Sequence, residues 1–442
     1  MTLDPASVDL ARSSDSQSTL FEDLDIRDPE FENWLRDIRI SHLDDAACPF
    51  VVPRRKTGAL IARKPQTVRP LIVFRTTREL GVDDAWFYVR FRECVATTIG
   101  EMGEVDFVDL SDPNQKLDAN GAPMLFVSVE IAKAQDTSLI SARIESAGGQ
   151  VMWRSRLSEI GMPADDETSF RIACLGSRVC QALGDCLNDD RHMSNVAQLP
   201  ISLACRGRAQ IFDFSRKALI EADRLFEAAY TLDSNPVYLA WRAFIRNTAA
   251  FEHLTNDFLD PLDNEELITV ALREAPGNSL VLSFAAQHSL VHQGDFAYGE
   301  LLCEKAIRAN EANALSWAFR ANILTVQRRY EEALAAAEKG VSLASGRALR
   351  NFMSIFSCMA RIGKGDYDLA ATHAQFASTL SPEFIAIRRF LFALYAANDR
   401  PEKAETIQQE IRLREPDFDK GKLLSRRYPV STLQATNIMD RL

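Results

Sequence analysis

No stretch of the 442-residue sequence approaches the ~18 to 20 uncharged residues that a membrane helix needs. The first thirty residues, with Asp4, Asp9, Asp15 and Glu22, are too acidic and polar for a signal peptide. A cytoplasmic chain with no membrane partner is therefore expected. Cysteine is sparse: Cys48, Cys94, Cys174, Cys180, Cys186, Cys205, Cys303 and Cys358 are scattered and mostly fall in helical patterns, which excludes a disulfide scaffold and fits reduced, buried thiols. Positive charge is in deficit, with 51 Lys and Arg against 62 Asp and Glu, a net charge of −11. Phosphate recognition relies on clustered Lys and Arg, so direct nucleic-acid binding is not expected of the chain as a whole.

Catalytic signatures are missing too. There is no Gly-rich phosphate loop, nucleophile elbow or carboxylate pair with a supporting His, so no enzyme and no cofactor are expected. Cys174, Cys180 and Cys186 are six apart, not two to four, and do not converge on one ion. His288 and His292 are four apart on a helical pattern, a spacing that can share a metal. The intervening Ser289, Leu290 and Val291 lack a metalloprotease Glu and no third ligand is evident, so no metal is expected.

What is present is apolar material, 46% of residues with 9% aromatic, enough for two to four domains with real cores. From Leu219 a helix-turn-helix punctuation recurs at Leu219, Pro261, Phe296, Tyr330, Tyr367 and Pro401, at intervals of 42, 35, 34, 37 and 34 residues. That spacing predicts about six tetratricopeptide-type helix pairs over 200–430. In four of the units the close-packing sites of the second helix carry small residues, Ala222 and Ala229, Gly299 and Ala306, Ala333 and Gly340, Ala370 and Ala377, as helices ~8 to 10 Å apart require; Asn264 with Ala271 and Ala404 with Ile411 are looser matches. Pro276, Pro382 and Pro416 close units because proline has no amide hydrogen to donate.

Ahead of the repeats, 1–19 is rich in Ser, Asp and Thr and is expected to be disordered. Within 20–45, Asp28 can cap a helix with Pro29 at its first position and an apolar stripe of Phe31, Trp34, Leu35 and Ile38. The segment 46–69 reads as a linker holding six basic residues, Arg54, Arg55, Lys56, Arg63, Lys64 and Arg69. These are either a solvated tether or a nucleic-acid patch. Between 70 and 190 the pattern is mixed: strands at 71–74, 105–110, 124–132, 138–145 and 151–157, with helices at 84–101 and 167–187, a small α/β sandwich. The fold class is thus α+β multidomain, a small α/β domain followed by an α-helical solenoid.

The element DPEFENWLR, Asp28 to Arg36, within the run LFEDLDIRDPEFENWLRDIR resembles the final helix of the bacterial transcriptional activator domain of antibiotic-regulatory-protein-type activators. The segment 70–190 looks like the TolB-like domain that precedes tetratricopeptide repeats in bacterial regulators and some class III nucleotide cyclases. The runs at 203–236 and 413–430 are similar to the repeat region of those proteins. The resemblance implies a regulator linked to transcription or signalling. Its winged-helix DNA reader and any cyclase module are expected to be missing, and Leu80, Gly81, Val82, Asp83 and Asp84 replace the family's acidic-Gly turn.

In an open solenoid, positions 5, 9 and 13 of each first helix face the inner groove. They are Phe284, His288 and His292, then Asn322 and Val326, then Ile355, then Arg389. These are the candidate contacts for a protein or peptide, with Phe and Asn able to anchor apolar and backbone groups and Arg389 an acidic side chain. The expected function is that of a non-enzymatic adaptor. Direct or partner-mediated action on DNA, and less so a cyclase-related signalling role, are the alternatives. Self-association stays open.

Overall fold

The structure, a computed structural model, describes residues 68–77, 79–111, 117, 122–134, 137–155, 158–160, 166–188, 199–253, 264–425 and 428–442. All lie in the compact unit that spans Lys64–Leu442. The expectations for 1–19, for the helix within 20–45, and for Arg54, Arg55, Lys56, Arg63 and Lys64 fall outside the described residues. Arg69 is described, and its guanidinium pairs with Glu104 at 3.0 Å.

The first half of the unit is a mixed sheet of β1 Leu71–Thr76, β2 Asp106–Asp109, β3 Met124–Ala134, β4 Thr137–Ser146, β5 Val151–Arg154 and β6 Ser158–Ile160. Its order is β2-β1-β3-β4-β5, with β6 also paired to β4. β1 runs parallel to β2 and β3, which requires the crossover helix α1, Val82–Gly100, between β1 and β2. Side chains alternate across a strand, so Ile72 and Phe74, Val127 and Val129, and Ala142 and Ile144 line one face. That face shares a core with Phe87, Phe91, Val95 and Ile99 of α1 and with Ile172, Leu175, Val179 and Leu183 of α2, Asp166–Leu187. Both helical sets recur at three or four residues, the period that makes one apolar stripe. The single strand expected at 151–157 is split in two because Ser155 Oγ accepts the amide of Ala142, while the Ser155 amide donates to Ala142 O.

The second half consists of six antiparallel helix pairs: α3 Pro200–Ile211 with α4 Arg216–Asp233, α5 Val237–His253 with α6 Asn264–Glu274, and α7 Ser279–His288 with α8 Phe296–Ala309. They are followed by α9 Ala314–Val326 with α10 Tyr330–Leu343, α11 Arg347–Lys364 with α12 Tyr367–Leu380, and α13 Ile385–Ala397 with α14 Pro401–Arg412. Phe296, Tyr330, Tyr367 and Pro401 open second helices; Leu219 lies inside α4, and Pro261 is outside the described residues. Side-chain oxygens of Ser215, Asn278, Asp295 and Asn313 cap α4, α7, α8 and α9. The small residues lie where helices meet: a Cβ on Gly340 would stand 3.3 Å from Ala314 O, and one on Gly299 would stand 3.0 Å from Ile323 Cδ1.

First helices do not line an open trough. Trp241 and Phe244 of α5, Phe284 of α7, Phe319 of α9 and Phe352 and Phe356 of α11 converge with Phe212, Phe214 and Phe384 into one buried aromatic cluster. Ring centroids are 4.9 Å apart for Phe244 and Phe284, 6.3 Å for Phe284 and Phe319, 6.1 Å for Phe319 and Phe356, and 4.3 Å for Phe214 stacked on Phe384. The turn after α3 therefore touches the residue that opens α13, and the array closes on itself. The chain's end, α15 Lys420–Leu424, α16 Ser431–Gln434 and a 3-10 turn at Asn437–Arg441, packs on the inner helices, with Thr432 Oγ1 donating to Asn322 Oδ1 at 2.8 Å.

Candidate functional site

Closure relocates the groove candidates. Phe284, His288 and Ile355 are buried and Arg389 is fully buried, while Asn322 and Val326 are half-buried and His292 is exposed. Four of the seven positions expected to meet a partner are thus core. The physical reason is that α7, α9 and α13 are apolar on nearly every side, so the array buries them against one another, while the one-sided α11 turns the apolar face that carries Ile355 inward. His288 and His292 do come together, with ring centroids 4.7 Å apart where α7 runs into a π-helical turn at Ser289–Gln293. Their neighbours are amides: Asn247 Oδ1 lies 2.8 Å from His292 Nε2 and accepts from Asn264 Nδ2 at 3.0 Å. Among the described residues, no group of three His, Cys, Asp or Glu side chains could hold a metal ion.

The inner rim is also covered from the other half of the unit. Glu101, just past α1, accepts from Ser279 N at 2.7 Å, Ser279 Oγ at 2.5 Å and Asn310 Nδ2 at 2.7 Å, at the start of α7 and the end of α8. Burial raises its carboxyl above the usual range and these donors act against that rise. Ser177 Oγ of α2 donates to Leu343 O at 2.7 Å. The α1 and α2 layer is therefore sandwiched between sheet and repeats, a placement that local periodicity does not encode.

At the carboxyl ends of β1 and β2, Asp109 accepts from Tyr88 Oη and Arg92 Nη1, each at 2.6 Å, and from Ser111 N at 2.9 Å. Burial alone would raise its carboxyl; these donors outweigh that and hold it below the usual value. Among the described residues, Asp109 at this end of the parallel strands is thus engaged by Tyr88, Arg92 and Ser111.

The most chemically diverse cluster lies where the array closes. Arg389 donates from Nη2 to Glu415 Oε1 at 2.6 Å and from Nη1 to Phe251 O at 2.5 Å. Its guanidinium carbon stands 5.0 Å from the Tyr428 ring centre, and Tyr428 Oη donates to Glu415 Oε2 at 2.6 Å. Glu252, fully enclosed, accepts the Ala386 amide at 3.1 Å and so caps α13, whose own preceding residue Phe384 provides no side-chain cap. Desolvation pushes the Glu252 carboxyl up to about 7, against the pull of Arg389 and the helix amides. His253 Nε2 donates to Phe214 O at 2.9 Å, and burial lowers its affinity for a second proton. Phe214 sits at φ 65°, a region that bulky residues avoid, and is held there by this bond and by Phe384. A cavity of about 360 Å3 opens beside the cluster, lined by Arg216, Glu252, His253, Glu383, Arg414 and Glu415.

Of these, sequence reasoning singled out only Arg389. Glu252 and Glu415 carry no motif; Glu415 lies 26 residues from Arg389, and Glu252 reaches the same seam by accepting an amide 134 residues away. The seven described cysteines are free thiols, and burial raises the pKa of Cys94, Cys174, Cys180, Cys205, Cys303 and Cys358, making them weaker acids. Among the described residues, no helix is long and apolar enough to cross a membrane.

No protein-family model matches the chain, and no curated protein matches it in sequence. Among solved structures, a monomeric mutant of IFIT1 determined with m7Gppp-AAAA matches with a TM-score of 0.26 at 13% identity, over 62% of this chain. The match spans 60% of that protein's chain, less than two thirds of its length. The helical-repeat assignment accordingly rests on this chain's own six helix pairs.

Proposed function

We propose that this is a non-enzymatic regulatory or adaptor protein that binds a protein partner through the outer surface of its helical repeats. The observation that carries the reading is α12, whose outer face exposes Leu369 at 44% and Phe376 at 68%, seven residues apart and so on one side of the helix. A wet phenylalanine at such exposure beside a leucine is the kind of apolar anchor that interfaces use, whereas the filled interior offers no room for a peptide. The link to transcription or signalling rests on the resemblance of 20–39 and 70–190 to bacterial regulators, and cytoplasmic residence accords with it.

The test is affinity capture from the source cell with the full chain as bait, run beside Leu369→Ser/Phe376→Ser. A partner held by the first and lost by the second, and then rebound by purified full chain, supports the reading. Capture that is identical with both baits removes it.

A further inference from the structure

The outer face of α12 differs from its neighbours in more than its two exposed apolar side chains. Leu369, Thr372, Phe376 and Thr379 are all exposed and follow one another at three, four and three residues, the spacing of a single seam along a helix. The two threonines are already satisfied within the helix: Thr372 Oγ1 donates to Asp368 O at 3.0 Å, and Thr379 Oγ1 donates to Gln375 O at 2.9 Å. Neither hydroxyl depends on water, so the whole seam can be dried at little cost.

The seam also lacks charge. Asp368 is the one charged side chain of α12 and pairs with Arg400, while burial and the nearby Arg361 lower the proton affinity of His373 and so keep its ring neutral at neutral pH. The second helices of the adjoining repeats are different: α10 carries Glu331, Glu332, Glu338 and Lys339, and α14 carries five charged side chains. A charge-free strip on a chain of net charge −11 offers nothing to steer an oppositely charged partner. It suits contact between identical copies, where a charged strip would set like against like.

Size completes the match. When two such helices meet end for end, each large side chain faces a small one, Leu369 against the second copy's Thr379 and Phe376 against the second copy's Thr372. A parallel pair would instead set Phe376 on its own counterpart and Thr on Thr, which interdigitates poorly. We propose that a second copy of this chain covers the α12 seam, the two helices packing antiparallel across a two-fold axis midway between the levels of Thr372 and Phe376. This names the partner that the proposed function leaves open, and it rests on that function. One helix pair falls below the ~1,200 Å2 of a standard interface, so the dimer is weak and its population rises with concentration.

Sedimentation velocity of the full chain from about 1 to 500 µM, at low and at high salt, tests this. The mass should climb from 49.5 kDa toward twice that value, and added salt should not weaken the association, since no ion pair holds it. Thr372→Asp and Phe376→Lys should each stay monomeric alone, because either one buries two charges against uncharged neighbours. Mixed in equal amounts they should associate more tightly than either alone, since the antiparallel pair brings the two opposite charges together at one contact and restores Phe376 on Thr372 at the other. A wild-type chain that stays monomeric at every concentration overturns the inference, while the wider reading is still decided by the capture experiment. A dimer that either single variant leaves intact, or a mixture no tighter than its components, overturns it as well.

Discussion

The enclosed carboxyl that caps α13 has a measurable thermodynamic signature. Glu252 is pushed from 4.5 to about 7, chiefly by loss of water around it, and the two ends of that interval fix the sign. Because the folded value is raised, the folded state binds more protons than the unfolded state between 4.5 and 7. The corresponding stability is complete below pH 4.5 and is lost as pH rises through 7. At 1.36 kcal/mol for each tenfold change in proton affinity, the interval from 4.5 to about 7 is worth ~3 kcal/mol. Gln in this place keeps an oxygen for the Ala386 amide and has no proton to exchange, so Glu252→Gln should lack this contribution to the pH dependence.

Scanning calorimetry of both proteins between pH 5 and pH 8.5 is the assay. At ~2.1 cal/mol/K per residue, a unit of this size has an unfolding entropy of about 0.8 kcal/mol/K, so ~3 kcal/mol corresponds to ~4 °C in midpoint. The difference, variant minus wild type, should climb by that amount between pH 5 and pH 8 and then level off. Parallel midpoint curves over the whole range would refute the reasoning, because they would mean that Glu252 is ionised, solvated or both at every pH tested.

Further outcomes follow from the same contacts. Arg389→Met strands the buried Glu415 carboxylate and should destabilise by about 3 to 5 kcal/mol, whereas Arg389→Met/Glu415→Leu should recover much of that loss; paired denaturant melts decide. Gly299→Val places its Cβ 3.0 Å from Ile323 Cδ1 and 3.3 Å from Ala286 O and should lose about 1 to 3 kcal/mol by thermal melt, while Gly277→Ala, with nothing within 4 Å, should stay near wild type. Phe376→Ser should change stability by no more than ~0.5 kcal/mol, since its ring is already largely in water. Neutralising Arg54, Arg55, Lys56, Arg63, Lys64 and Arg69 together should leave low-salt DNA retention in a filter assay unchanged; a loss would restore direct action on DNA.

The repeat array was readable because it is local. Helix starts at Phe296, Tyr330, Tyr367 and Pro401, stops near Pro276, Pro382 and Pro416, and small residues at Ala222, Gly299, Ala333 and Ala370 are all decided within a turn or two of the residue concerned. The strands from Leu71 to Ser146 were readable for the same reason, through alternation. The break at Ser155 was not, because it depends on a hydroxyl replacing a backbone partner across the ladder. Neither was the docking of Glu101 on Ser279, which joins residues 178 apart in sequence.

The groove candidates failed for a reason the sequence does contain. Inner positions were assigned by their place in a repeat, a rule that holds if one side of each first helix stays wet. The run SLVLSFAAQH at 279–288 has no wet side, and all ten residues are buried; ALSWAFRANILTV at 314–326 and IAIRRFLFALYAA at 385–397 are nearly as apolar. Helices apolar all round must bury every face, which an open ramp cannot do and a closed ring can. Closure then brings together the few polar groups these helices and their ends carry. Arg389, fully buried in an apolar helix whose Arg388 instead pairs with Glu410, had to find both a carboxylate and a carbonyl, and Glu415 and Phe251 meet that demand. The charged seam is therefore a consequence of closing the ring, and composition of the first helices, more than repeat position, decides where this chain can meet another molecule.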